Sequence, residues 1–366
     1  MFVQKYAELN KDGSTDLIDK YLNTKTLKRL KGIGMFCGMD YISIDSLRPS
    51  EYYSRFDHSK NVAYTAWKLS EDLSVTLAGL FHDVGTLSFA HVNSFKKGDA
   101  LTQSDDELSV KSVLSKDEEI LEYLYEDGIS LESVCTKEDY PLIDKEIPAL
   151  CLDRVDGILT ASVLLSKTHT FSEIQKLYYM LTYFNSLNGM NFDLNNERLR
   201  DFSGEIVLSE TRDSDYEDFF ECIRSYSRVL LTKEDRYMME VLGLALKYYE
   251  DIGLVTEDDL FNLSEREIIE KILSSDKKDV LEDVLSIKKV DYSISDEGLI
   301  IVSKPKIRQA NPLCLGQMEV CEISDISGTF YRELLDIEDD IRLTDKRVVG
   351  DLNKNTVRTL KRYMKG

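Results

Sequence analysis

The stretch Ala78-Gly79-Leu80-Phe81-His82-Asp83-Val84-Gly85 constrains this chain most, because an adjacent His-Asp pair closes an apolar run. Leu73, Leu77 and Phe81 recur at helical spacing, which predicts a helix ending at or near His82 and Asp83. An imidazole nitrogen and a carboxylate oxygen side by side at a helix end can face one point, and that begins a metal site. Two other stretches can complete it. Arg55-Phe56-Asp57-His58-Ser59 precedes residues 61–69, in which Val62, Ala66 and Leu69 make one apolar helix face. In Leu150-Cys151-Leu152-Asp153-Arg154-Val155-Asp156 two carboxylates stand three apart, near one helix face. His58, His82, Asp83 and Asp153 would give two nitrogens and two oxygens, a set that suits one divalent ion: Mn²⁺, Fe²⁺, Ni²⁺ or Mg²⁺. Water on such an ion is a source of hydroxide near neutral pH.

The order His, His-Asp, Asp resembles the HD-domain metal-dependent phosphohydrolases, and within them the deoxynucleotide triphosphohydrolase branch. Residues 18–34 (IDKYLNTKTLKRLKGIG) look like that branch's helix entry. Tyr53-Ser54-Arg55-Phe56-Asp57-His58-Ser59 resembles its Arg-Phe-Glu-His-Ser signature, residues 81–91 (FHDVGTLSFAH) its His-Asp-Ile-Gly-His block, and Asp153-Arg154-Val155-Asp156 its Asp-Arg/Lys-x-Asp. The resemblance implies a mainly α-helical HD core, with His58, His82, Asp83 and Asp153 as metal ligands. Arg55 and Arg154 would bind substrate phosphate, since a planar guanidinium fork suits oxyanions. Asp156 is expected to orient a ligand or an Arg. Asp106 or Glu107 would assist proton transfer, and His91 either joins the catalytic set or braces a backbone carbonyl.

The implied function is hydrolysis of a nucleotide or related phosphate ester by attack of a metal-bound water on phosphorus. Thr86 and Asp106 stand where the branch carries catalytic histidines, and Gly157 and Ala161 where it carries Tyr and Asp beside the sugar. These departures favour the alternative, a catalytically degenerate, nucleotide-binding regulator, and they loosen any selection for deoxyribose. The resemblance also implies a homo-oligomer.

Length and charge set the outer bounds. A chain of 366 residues can bury a substantial core. Its net charge of −21 argues against a nucleic-acid partner, because a phosphate backbone needs a basic surface. No run of about 18 apolar residues is present, so no membrane span is expected. The opening residues lack a signal-peptide pattern, and six cysteines without a C-x-x-C pair read as reduced thiols, so a cytoplasmic location is expected.

The periodicity predicts a helical HD domain over residues 15–285 and a small β-hairpin and terminal-helix portion over residues 286–366. Helices are expected over 15–34, from near Ser59, up to His82, at Asp105-Asp106-Glu107, and over 171–187, 215–231, 235–252 and 265–273, with a further start at Thr256. Residues 205–208 are expected as a strand, and Val290-Asp291-Tyr292-Ser293-Ile294 with residues 298–302 as a hairpin. A basic terminal helix within 346–365 should dock on the protein's own surface. Residues 1–14 read as a polar lead-in, His169 as an exposed loop residue, and Tyr178-Tyr179 and Tyr248-Tyr249 as packing residues.

Overall fold

A computed structural model describes the chain apart from residues 10–14, 100–107, 137–138, 185–204, 210–212, 294–295, 302–309, 316–319, 323–331, 333–346 and 365–366. The helices are α1 (Phe2–Leu9), α2 (Thr15–Leu22), α3 (Lys25–Arg29), α4 (Arg55–Ser70), α5 (Leu73–Phe81), α6 (Val92–Lys97), α7 (Val110–Leu114), α8 (Glu118–Glu126), α9 (Glu132–Cys135), α10 (Leu152–Leu164) and α11 (Phe171–Tyr179). Strands β1 (Leu181–Phe184) and β2 (Glu205–Ser209) lead into α12 (Asp213–Leu230), α13 (Lys233–Asp251), α14 (Glu257–Asn262), α15 (Glu265–Leu273) and α16 (Asp279–Leu285). The chain ends with β3 (Val290–Tyr292), β4 (Ile300–Ile301), β5 (Leu313–Leu315), β6 (Val320–Glu322), β7 (Val348–Gly350) and α17 (Lys354–Leu360). The architecture is mainly α, with small strands. No described helix is long and apolar enough to cross a membrane.

Helix α4 is the axis of the core, buried at ten positions between Arg55 and Ala66 and packed against α5 and α10. It begins four residues before the expected start near Ser59. A capping box explains this: the Ser54 hydroxyl accepts the Asp57 N–H, while the Asp57 carboxylate accepts the Ser54 N–H. Arg55 and His58 therefore lie on the first helical turn instead of in a loop. Helix α5 starts at Asp72, whose carboxylate accepts the Ser74 and Val75 N–H groups. It runs so close to α4 that a Cβ at Gly79 would lie 3.2 Å from Val62 Cγ1 and 3.0 Å from Ile143 Cδ1.

Other expectations are corrected by long-range packing. The helix predicted over 15–34 breaks in two, because Thr24 leaves helical geometry and its hydroxyl accepts the Leu27 N–H, capping α3. The helix predicted over 171–187 stops at Tyr179. Leu181 to Phe184 instead pair antiparallel with β2, and Leu181, Ile206, Val207 and Leu208 are buried. The sheet continues through a parallel pairing of β2 with β5 and an antiparallel pairing of β5 with β6. The predicted hairpin is not one: β3 and β4 do not pair with each other, because β7 lies between them and pairs antiparallel with both. The basic terminal helix is α17. It buries Thr356 and Leu360, and beyond it Tyr363 stacks edgewise on Tyr248.

Two apolar cores result. The larger gathers α3, α5, α13 and α15, while the smaller gathers α10, α11, α12 and the first sheet together with Tyr6. Tyr6 corrects the reading of residues 1–14 as a polar lead-in, since it is buried on α1. Tyr178 and Tyr249 are buried as expected, but Tyr179 is 59% exposed. Asp105, Asp106 and Glu107 lie outside the described residues.

Candidate metal centre

Three helix ends bring the sequence-predicted donors together. His58 sits on the first turn of α4, His82 is the C-cap of α5 with Asp83 following it, and Asp153 opens α10. His58 Nε2 lies 3.1 Å from His82 Nε2, 3.1 Å from Asp153 Oδ1 and 3.9 Å from Asp83 Oδ2. His82 Nε2 lies 3.7 Å from Asp83 Oδ2 and 4.0 Å from Asp153 Oδ1. The side chains of His58, His82 and Asp83 are almost completely buried, whereas Asp153 is 35% exposed, so the cluster opens to solvent on the α10 side.

The partners of the two rings fix their tautomers. His82 Nδ1 is 2.6 Å from the Gly79 carbonyl oxygen, which can only accept, so this nitrogen carries a hydrogen. His58 Nδ1 is 2.7 Å from Asp156 Oδ2 and donates to it. Asp156 is held in turn by the Tyr53 hydroxyl at 2.9 Å and by Tyr6 from α1. With both Nδ1 atoms protonated, two Nε2 lone pairs face each other at 3.1 Å. That approach is repulsive unless a positive charge lies between them, so the donor set fits a divalent cation, or a proton in its place. Fixing the ring through its second nitrogen is what a metal-binding histidine requires.

The electrostatics agree. Burial opposes the His58 imidazolium, yet the hydrogen bonds and charges of Asp153 and Asp156 push it up to about 10. Burial would raise the Asp83 carboxyl, but Arg55, His82 and His58 outweigh it and hold the group well below the usual carboxylate range. Arg55 Nη1 donates to Asp83 Oδ2 at 2.8 Å in a fully buried pair. Burial raises Asp156, against the hydrogen bonds of His58 and the two tyrosines.

The remaining predicted residues fall elsewhere. Arg154 turns its fork onto the connector before α10, donating to the carbonyls of Ala149 and Lys145, the latter at 3.0 Å. Arg154 neighbours Asp153 in sequence, and its fork rests on those carbonyls. His91 caps α6 after two non-glycine residues, Phe89 and Ala90, in left-handed backbone, and it is half-buried. Thr86 is buried, with its N–H on the Asp83 carbonyl at 3.0 Å. His169 is half-buried beside Thr168, with Nδ1 2.9 Å from that hydroxyl.

Sequence reasoning missed three residues. Tyr53 lies inside a recognised motif but carries no local sign of its contact with Asp156. Tyr6 could have been found from Phe2, Tyr6 and Leu9, which share one helix face. Glu265, at the start of α15, accepts the Gly34 N–H at 3.0 Å, the Phe89 N–H at 2.7 Å and the Tyr41 hydroxyl. It thereby ties the segment before α4 to the loop after the His-Asp pair. Its burial drives the carboxyl up to about 7 despite those hydrogen bonds.

Comparison with known proteins places this geometry. No curated protein matches the sequence. A hypothetical protein from Aquifex aeolicus superposes with a TM-score of 0.58 at 14% identity over 95% of both chains. A phosphohydrolase from Bacteroides thetaiotaomicron superposes with a TM-score of 0.55 at 14% identity, over 87% of this chain and 91% of the other. Residues 55–138, which contain His58, His82 and Asp83, match the HD domain family model, so this is a mainly helical chain with an HD domain, in a fold shared with those two proteins.

Proposed function

We propose that the chain is a metal-dependent phosphohydrolase that cleaves a small phosphate ester, a nucleotide foremost, at the His58, His82, Asp83 and Asp153 cluster. One observation carries the reading. Donor atoms of His58, His82 and Asp83 lie within 4.8 Å of one another, with Asp153 Oδ1 3.1 Å from His58 Nε2, while separate partners hold both imidazoles. A divalent ion held there would lower the pKa of bound water and offset negative charge developing at phosphorus.

The protein's own groups have separate tasks. Asp156 and the Gly79 carbonyl keep the rings aimed, and Asp83 and Asp153 supply negative charge. Arg55 neutralises Asp83 and can meet a phosphate oxygen at the cluster, stabilising charge that grows in the transition state. The exposed side of Asp153 is the route for substrate. Asp106 or Glu107 is assigned proton transfer. Leu108, the next residue in the chain, donates its N–H to the Gly85 carbonyl at 3.0 Å. His91 is assigned a subsidiary polar role at the start of α6.

A second reading, a nucleotide-binding regulator that retains the metal site, is favoured by Thr86, which is buried and has no proton to exchange near neutral pH. Metal analysis decides between them when paired with phosphate release from a panel of nucleotides and phosphomonoesters in Mn²⁺, for wild type and Asp83→Ala. About one metal per chain with turnover that Asp83→Ala abolishes supports the hydrolase. Metal with no turnover supports the regulator, and absence of metal rejects both.

A further inference from the structure

Glu265, the first residue of α15, is buried outside the donor cluster, yet it touches both segments that frame the cluster. Its Oε2 accepts the Gly34 N–H at 3.0 Å and the Tyr41 hydroxyl, and its Oε1 accepts the Phe89 N–H at 2.7 Å. Burial opposes a carboxylate here, so a side chain needed only to fill the space would be neutral. An ionised carboxylate offers what the amide of the same shape lacks, an acceptor on each oxygen. Two backbone N–H groups from different segments therefore meet one rigid group.

Each tie continues into the cluster. Gly34 pairs with Ser54 in an antiparallel bridge, and the Arg55 N–H donates to the Ile33 carbonyl at 2.9 Å, so the Gly34 segment sets where α4 begins. That segment has no slack: a Cβ at Gly34 would lie 2.3 Å from Asp40 Oδ2 and 3.3 Å from Glu265 Oε2. On the other side, Phe89 and Ala90 hold left-handed backbone, with φ of 68° and 43°, which residues with side chains keep only where their surroundings impose it. Glu265 on the Phe89 N–H, and the Leu260 carbonyl on the Ser88 N–H at 2.8 Å, supply that constraint. Arg55 spans the two segments: it opens α4, and its Nη1 reaches Asp83 Oδ2 at 2.8 Å.

We propose that Glu265 is a positioning residue, a clamp that fixes the start of α4 against the loop after the His-Asp pair and so places the Arg55 guanidinium for the substrate phosphate. This role rests on the hydrolase reading for the step that Arg55 serves. Glu265→Gln keeps the volume but turns an amide N–H₂ toward one of the backbone donors, so one tie opens.

The test compares wild type, Glu265→Gln, Arg55→Lys and the double variant, with Leu360→Ala, a buried residue of α17, as a control for lost stability alone. Arg55→Lys keeps a cation beside Asp83 but loses the planar fork. Thermal unfolding first shows that each is folded at the assay temperature; should Glu265→Gln not fold, Glu265→Asp, which keeps both oxygens on a shorter stem, takes its place. With Mn²⁺ and dATP, ATP or p-nitrophenyl phosphate, Glu265→Gln is expected to lower kcat about 10- to 100-fold, the scale of a misplaced catalytic group, and to move KM far less. Leu360→Ala should lower Tm and leave kcat unchanged. In the Arg55→Lys background Glu265→Gln should cost little more, because both changes act on one group. A kcat loss no larger than that of Leu360→Ala, or losses that multiply in the double variant, overturns the positioning role.

Inorganic phosphate, titrated calorimetrically into the protein with and without Mn²⁺, gives a reading that needs no turnover. Glu265→Gln should weaken its binding severalfold in wild type and hardly at all in Arg55→Lys; equal affinity in wild type and Glu265→Gln overturns the role. A wild type that binds phosphate but turns over none of the substrates rejects the hydrolase reading, while the phosphate affinities still decide Glu265. A wild type that binds no phosphate overturns both.

Discussion

His58 Nε2 and His82 Nε2 face each other at 3.1 Å, each with its Nδ1 hydrogen already committed to an acceptor. Only a cation between them makes that distance favourable, and in metal-free protein the cation is a proton. The His58 value of about 10 lies above its ordinary 6.5, so the imidazolium contributes stability that is full below about pH 6.5 and is lost as pH rises through about 10.

Metal must displace this proton. Mn²⁺ binding at pH 8 is therefore expected to release about one proton per ion, and apparent affinity should rise by up to about tenfold per pH unit until His58 deprotonates. Calorimetric titration in buffers of different ionisation enthalpy reads the number directly. Binding heats that do not depend on the buffer would count against the geometry.

Asp156 reaches the cluster only through His58. Asp156→Asn keeps the shape but weakens the grip on the ring, and it should reduce metal affinity about 10- to 100-fold, the usual effect of losing such a support. Asp83→Ala removes a donor and should lose more. Competition with a chelating dye ranks the two, and equal affinity of Asp156→Asn and wild type would show that Asp156 does not aim the ring.

Glu265 makes stability depend on pH in the opposite sense to ordinary surface acids. Its folded value of about 7 exceeds the usual 4.5, so its favourable contribution is complete below about pH 4.5 and is lost as pH rises through about 7. The difference corresponds to roughly 3 kcal/mol across that window. Thermal unfolding should show a fall in stability between pH 5 and 8 that is flattened in Glu265→Gln. The same fall in the variant would assign the effect to another group.

Gly85 has no room for a side chain, because a Cβ there would lie 1.8 Å from the Leu108 carbonyl oxygen. Gly85→Ala must push that backbone away, and it is expected to destabilise the fold by about 1–3 kcal/mol. The displaced segment continues directly from Asp106 and Glu107. Phosphate release should therefore fall more than tenfold while metal stoichiometry is retained; full turnover in Gly85→Ala would argue that those acids play no part.

Several features were legible in the chain because their causes are local. The apolar period of α5, the capping signal at Thr256 and the strand at Glu205–Ser209 each depend on residues within a few positions of one another, and the order of His58, His82, Asp83 and Asp153 is read directly along the chain. Even the early start of α4 was encoded locally, in the reciprocal hydrogen bonds of Ser54 and Asp57.

Other features depended on partners far away in sequence. Residues 171–187 read as one amphipathic helix until β2 offers Leu181 to Phe184 a ladder, and β3 and β4 read as a hairpin until β7 enters between them. Arg154 neighbours a proposed ligand yet serves the connector before α10, whereas Tyr6 reaches Asp156 from 150 positions away and Glu265 joins Gly34 to Phe89 from far along the chain. The sequence by itself determined which donors this protein owns and that helices present them. Only the tertiary structure decided which atoms meet, because the packing of α1, α4, α5, α10 and α15 sets directions that no local pattern encodes.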